Sequence, residues 1–139
     1  MEFEIKKISH QETLIIRHKA MWPNRAIDYV RLPNDEKGRH FGLFIKGKLI
    51  SVISIFRKNK DIQFRKFATL KEFQGQGYGT KLLQFLLHLI EEERHEKIWC
   101  NARINRANFY EKFGLQETNK RFEKDGIRYV IMEKKLVAC

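Results

Sequence analysis

Cysteine is scarce. Cys100 and Cys139 are the only two, too few for a disulfide framework and without metal-ligand spacing, so both are expected to be reduced thiols. The five histidines, at 10, 18, 40, 88 and 95, form no HxxxH or HxH pair, and no metal is expected. No apolar run approaches the roughly 20 residues needed to cross a bilayer. Met1-Glu2-Phe3-Glu4 lacks the basic-then-apolar order of a signal peptide. The sequence therefore predicts no membrane partner and a cytoplasmic location. Internal repeats, low-complexity segments and interdomain linkers are also missing. A length of 139 residues suits one ordinary core better than two, and the expectation is a single domain over 1–139.

Acidic residues are outnumbered: 28 Lys and Arg against 17 Asp and Glu give a net charge of +11. A nucleic acid, an anionic membrane or a phosphate-rich cofactor would each be attracted, and a plain basic surface has the same composition. The basic residues are dispersed with no long Lys/Arg run, which disfavours a nucleic-acid-binding tail. What is abundant is apolar material, 42% of the chain with eleven Phe, enough for it to fold alone.

Phe3, Ile5 and Ile8 are spaced almost like a strand face, and Ser9-His10-Gln11-Glu12 reads as a capping box opening a helix to about Ala20. Leu14, Ile15 and Met21 are its apolar positions, and Trp22-Pro23-Asn24 ends it. The stretch to Gly38 is expected to be loop with a short helix. Strands follow at 41–45, 49–56 and about 62–70, joined by Lys46-Gly47-Lys48 and Lys58-Asn59-Lys60-Asp61 as an antiparallel meander. Leu82, Leu83, Phe85, Leu86, Leu87, Leu89 and Ile90 then crowd a helix that begins near Gly77. Ile98-Trp99-Cys100 is a short strand, Asn105 is expected to cap a helix through Phe113 with Gly114 as its stop, and a hairpin closes around Lys124-Asp125-Gly126. The order βα, βββ, α, β, α, ββ predicts an α/β mixed sheet with helices on its faces. Ligands are expected near strand carboxyl ends where neighbours part.

The motif that carries chemistry is Gln74-Gly75-Gln76-Gly77-Tyr78-Gly79, placed between a strand and a strongly apolar helix. Glycine at alternate positions removes Cβ atoms where backbone N–H groups could approach a ligand, and a helix start adds unsatisfied N–H groups and a positive dipole end. The result is a candidate pyrophosphate cradle. Its third glycine arrives one residue early for GxGxxG, and Thr80-Lys81 reverses the Walker order, so neither NAD nor ATP is favoured.

These residues resemble the GNAT superfamily of acetyl-CoA-dependent N-acetyltransferases, whose pyrophosphate loop is written [QR]-x-x-G-x-[GA]; Gln74, Gly77 and Gly79 fill it. Arg65-Lys66-Phe67-Ala68-Thr69 upstream, Asn101-Ala102-Arg103 and Ala107-Asn108-Phe109-Tyr110-Glu111-Lys112-Phe113-Gly114 downstream extend the likeness. The resemblance implies a GNAT-like acyl-CoA N-acyltransferase fold, a mostly antiparallel central sheet flanked by helices and splayed at the cofactor site. It implies that the backbone of Phe67, Ala68 and Thr69 bonds the pantetheine arm, that amides of Gln74, Gly75, Gln76, Gly77, Tyr78, Gly79 and Thr80 hold the pyrophosphate, and that Asn101 and Asn108 add polar contacts. The reaction it implies is transfer of acetyl from acetyl-CoA to a primary amine of a small molecule or protein. Tyr110 stands at the place of the family's usual general acid, and a phenol with an unperturbed pKa of about 10 is protonated at neutral pH. A strand N–H, that of Phe67, would polarise the acetyl carbonyl.

Many relatives carry a Glu on the central strand as base, where this chain has Gln63, Arg65 and Lys66. A water chain, His18, His40 or Glu72 are the alternatives, and the base is left unassigned. Arg17, His18, Trp22 and Arg25 lie where relatives often form the acceptor pocket, and would suit an acceptor bearing a carboxylate or phosphate. The missing Glu keeps open a catalytically inert module that binds CoA or nucleic acid on the same fold. Members of the superfamily often dimerise, so a homodimer is also open.

Overall fold

The computed structural model describes residues 2–136; Cys139 and Met1 lie outside them. In chain order the elements are β1 (Glu4–Ile8), α1 (His10–Met21), β2 (Arg39–Ile45), β3 (Lys48–Lys58), β4 (Asp61–Thr69), α2 (Tyr78–Glu92), β5 (Lys97–Arg103), α3 (Ala107–Glu111), β6 (Gln116–Lys124) and β7 (Ile127–Lys135). The sheet order is β1-β2-β3-β4-β5-β7-β6. β1/β2, β2/β3, β5/β7 and β6/β7 are antiparallel, and β4/β5 is parallel. A parallel pair cannot be closed by a hairpin, and α2, the helix expected from the apolar run, lies in the crossover between β4 and β5. The chain falls into two compact units, one reaching to Phe56 and taking up Arg65–Leu87, the other built from Arg57–Phe64 and the residues from His88 onward.

In the first unit, α1 begins as predicted. Ser9 Oγ accepts from Glu12 N–H at 3.2 Å and Glu12 Oε1 accepts from Ser9 N–H at 3.0 Å, satisfying donors that the first helical turn leaves orphaned. Its inner face differs from the expected one: Leu14, Ile16 and Arg17 are buried while Ile15 is 55% exposed. Arg17 takes an inward position and is held there by the Asp35 carboxylate. β3 lies between β2 and β4 and is buried from Ile50 through Phe56, which explains an apolar run without alternation. Leu82, Leu83, Leu86 and Leu87 of α2 are buried, and Phe85 meets Phe41 edge-on at 5.8 Å.

β4 carries an irregularity that the sequence does not announce. Lys66 has φ +54°, a left-handed conformation that costs a non-glycine residue on the order of 1–3 kcal/mol and is the signature of a bulge rather than of regular pleat.

In the second unit, β4 pairs β5 over Asp61↔Lys97, Ile62↔Ile98 and Gln63↔Trp99. Along β5, Ile98, Cys100 and Ala102 are buried in alternation. Asn105 does not cap the next helix. A 3-10 turn, Ile104–Arg106, precedes α3, and the Ala107 N–H already donates to the Ile104 carbonyl, so Asn105 stays exposed inside the turn. α3 is correspondingly short. It ends at Glu111, and Leu115 N–H returns to the Tyr110 carbonyl at 3.3 Å across Gly114, a C-terminal stop of the expected kind. β6 is an edge strand exposed at every position but Thr118, with a register shift between Glu117 and Arg121.

Candidate active site

Between β4 and α2 the chain passes through the 3-10 turn Lys71–Phe73 and the glycine-rich segment. Gly75 and Gly77 have φ +75° and +88°, and a Cβ built on either would meet nothing within 4 Å. Their value is conformational: left-handed backbone at two positions of three is open to glycine without strain. A Cβ on Gly79 would sit 3.2 Å from the Phe67 ring and 3.5 Å from Thr69 Oγ1, so the helix start lies close against β4. Lys81 N–H is the first to reach back one turn, donating to the Gly77 carbonyl at 3.1 Å. The N–H groups of Gly79 and Thr80 ahead of it have no acceptor within the helix.

Side chains brace this segment. Gln74 Nε2 donates to the Thr69 carbonyl at 2.8 Å and Gln76 Nε2 to the Glu72 carbonyl at 3.1 Å. Ser51 Oγ donates to the Ala68 carbonyl at 3.1 Å and lies 2.8 Å from Thr69 Oγ1. Tyr78 is buried with its ring edge-on to Phe73. Gln74, Gln76 and Tyr78 thus hold the loop's shape with their side chains and present main chain. A pyrophosphate fits such a cradle: it needs N–H donors, close backbone approach and a helix N-terminus, and all three are here.

Tyr110 belongs to the second unit. Its ring lies 5.7 Å from that of Phe64 and 5.2 Å from that of Phe109. Burial, reinforced by the neighbouring Cys100 thiol, raises its phenol well above the usual value, and Arg106 and Arg103 offset only part of the rise. Asn101 and Asn108 are exposed.

The family model described as Acetyltransferase (GNAT) domain matches residues 8–136. The chain belongs to the GNAT acetyltransferase family. It is 31% identical over 143 residues to the Bacillus subtilis protein named "Uncharacterized N-acetyltransferase YitI", covering 96% of each chain. The Escherichia coli ribosomal-protein-S18-alanine N-acetyltransferase superposes with a TM-score of 0.82 at 19% identity, over 99% of this chain and 96% of that one. A Bacillus subtilis acetyltransferase solved in complex with CoA gives 0.73 at 15% identity, over 98% and 99%. Both superpositions establish the fold, and the family places the chain among the acyltransferases.

In this GNAT chain the four residues expected at the acceptor side divide. His18, Trp22 and Arg25 come together: His18 Nε2 is 2.6 Å from the Arg25 carbonyl, and the Arg25 guanidinium lies 4.6 Å from the Tyr29 ring and 5.7 Å from that of Trp22. Arg17 parts from them. It is 0% exposed and donates from Nη1 and Nη2 to Asp35 at 2.8 and 2.9 Å, to the Val30 carbonyl at 3.1 Å and to Ser54 Oγ at 3.0 Å. Its Nε is the one buried side-chain polar atom without a partner among the described residues.

His40, one of the alternatives for the base, is buried. One ring nitrogen is 2.6 Å from Ser54 Oγ and the other 2.8 Å from the Asp35 carbonyl, and burial lowers its pKa, with the Arg17 charge adding to the effect. A ring engaged at both nitrogens has none left for a substrate proton. Glu72 is exposed. Asp35 and Ser54 went unnoticed in the sequence because Asp35 meets Arg17 from 18 residues away and Ser54 from 37, and no local pattern encodes such pairs.

Proposed function

We propose that this chain transfers acetyl from acetyl-CoA to a primary amine, with residues 1–139 acting as one catalytic domain. The observation that carries the reading is the cradle at 74–80: left-handed Gly75 and Gly77 followed by the N–H groups that open α2. The family match supports the single domain, since it runs unbroken through residues of both units.

When bound, acetyl-CoA supplies the activated thioester. The main chain of Gln74, Gly75, Gln76, Gly77, Tyr78, Gly79 and Thr80 binds its pyrophosphate, and that of Phe67, Ala68 and Thr69 aligns the pantetheine arm. The Ala68 and Thr69 carbonyls are engaged by Ser51 and Gln74. The left-handed Lys66 turns the peptide that follows it, which suits the Phe67 N–H to donate to a carbonyl oxygen gaining charge. Asn101 and Asn108, both exposed, add side-chain donors. Tyr110 is the general acid: a phenol whose pKa is raised by burial carries its proton at neutral pH and gives it to the departing thiolate.

A binding module without catalysis is the second reading, favoured by the absence of a carboxylate on β4 at 63, 65 and 66. Free-thiol release from acetyl-CoA over a panel of amines separates the two. Release above hydrolysis with any amine supports transfer. A melting temperature unmoved by millimolar acetyl-CoA would remove even the binding.

A further inference from the structure

One face of the first unit's sheet carries a row of polar residues where apolar ones would be usual. His40 on β2 stands directly across from Ser54 on β3. Counted outward from the two-residue turn Asn59-Lys60 that joins Lys58 to Asp61, Arg65 on β4 falls opposite Ser54 on its other side. Arg17 of α1 reaches this row at Ser54 Oγ, and Asp35 reaches it through Arg17 and through His40.

We propose that Arg65, backed by the buried Arg17, is an anion-recognition site that takes a carboxylate on the acceptor, so that the preferred substrates are amines bearing an acidic group. This deepens the acetyl-transfer reading and rests on it.

Charge and hydrogen bonding both point there. Arg17 and Arg65 bring two positive charges and Asp35 one negative, which leaves one positive charge uncompensated beside a buried row. Asp35 has spent itself on Arg17 and the Leu32 N–H, whereas Arg65 makes no hydrogen bond or ion pair to another side chain among the described residues. An arginine that is half-buried and unpaired bears a desolvation cost that a carboxylate would relieve through two parallel N–H···O bonds. Burial and the Arg17 charge together lower its pKa, consistent with a cation held against its preference. Arg65 is reachable while Arg17 is sealed, so Arg65 makes the contact and Arg17 supplies field. A single uncompensated charge matches a carboxylate better than a phosphate dianion.

Two experiments test this. In the first, the Nε–H signals of 15N-labelled protein are followed by NMR, with Arg65 identified through Arg65→Gln, during titration with N-acetylglycine, N-acetylglycinamide and inorganic phosphate. N-acetylglycine should move the Arg65 signal saturably and the amide should not. No movement with the acid, equal movement with the amide, or a response to phosphate alone would overturn the assignment. In the second, thiol release is compared for amino acids and their amides. The acids should lead by about tenfold or more in kcat/KM, Arg65→Gln should abolish that lead through KM for the acid with KM for acetyl-CoA unchanged, and Arg65→Lys should restore part of it. Equal use of acids and amides defeats the carboxylate site while acetyl transfer stands. If no amine releases thiol, acetyl transfer itself fails and the NMR titration alone decides the anion site.

Discussion

Replacing Asp35 by Ala is the sharpest test of how the first unit is held together. Asp35 is 4% exposed and Arg17 is 0% exposed, and their contact is bidentate at 2.8 and 2.9 Å. Asp35→Ala strands a guanidinium in the core and also deprives the Leu32 N–H of its acceptor at 2.9 Å. Breaking a buried pair from one side costs about 3–5 kcal/mol, and for a chain of this size each kcal/mol shifts the melting point by about 3 °C, so a fall of roughly 10–15 °C is expected. The double variant Arg17→Met, Asp35→Leu removes both charges and should lose less than Asp35→Ala alone. The pH dependence has a fixed sign. Burial by itself would raise the Asp35 carboxyl, but the Arg17 hydrogen bonds, the Leu32 N–H and the Arg17 charge outweigh it and hold the pKa below 3.8. A carboxylate with a depressed folded pKa stabilises above its unfolded value of about 3.9 and loses that contribution as pH falls through the folded value. The gap between wild type and Asp35→Ala in urea denaturation should thus stay constant from about pH 5 to 8 and narrow below about pH 4. A loss under about 1 kcal/mol, or a double variant as unstable as the two singles added together, would refute the reasoning.

Tyr110→Phe should lower turnover by about 100-fold or more while leaving acetyl-CoA affinity within about twofold, and unchanged turnover would remove its role as acid. Because burial raises the Tyr110 pKa above its usual 10, an activity profile should show no alkaline loss from this group below about pH 10; a limb near pH 8 that vanishes in Tyr110→Phe would contradict the assignment. Gly77→Val forces a β-branched residue to φ +88° and should cost at least about 1–2 kcal/mol in unfolding experiments and weaken acetyl-CoA binding measured by calorimetry. Cys100 is buried with its thiol pushed up to about 12, so in folded protein at pH 8 iodoacetamide should leave it unmodified while denatured protein reacts fully, as peptide mass spectrometry would show.

Much of the fold was legible because it is written locally. Ser9 with Glu12 fixed the start of α1, Asn59-Lys60 and Asp125-Gly126 fixed two hairpins, and the leucine-rich stretch from 82 to 90 could only be a buried helix. The glycine cradle was legible for the same reason, since three glycines within five residues speak for themselves. What escaped is set by partners distant in sequence. Ile15 counts among the apolar positions of α1, yet it faces out while Arg17, paired with Asp35, lies inside. His40 reads as an ordinary polar side chain until Ser54 and the Asp35 carbonyl are seen to receive it. Asn105 has the chemistry of a cap, and a tight turn used the N–H groups first. Lys66 gives no sign of its left-handed backbone, because lysine, unlike glycine or asparagine, does not mark such a position in sequence. Tyr110 was named by likeness to a family; the structure adds the environment that keeps its proton on.

The two edges of the sheet carry a last consequence. Among the described residues, β1 and β6 each have one side without a neighbouring strand, and an open row of N–H and C=O groups invites another chain to add on. Lys6 and Lys7 stand exposed on β1, and Lys120, Arg121 and Lys124 on β6, where the register shift also breaks the straight ladder an incoming strand would need. Both edges also carry carboxylates, and Lys6 is paired with Glu4 and Arg121 with Glu117, so an incoming strand would have to displace or re-pair solvated charges of both signs. Charged side chains that look like surplus in the composition thus make these edges costly to extend, and salt, which screens exposed charges, lowers that cost.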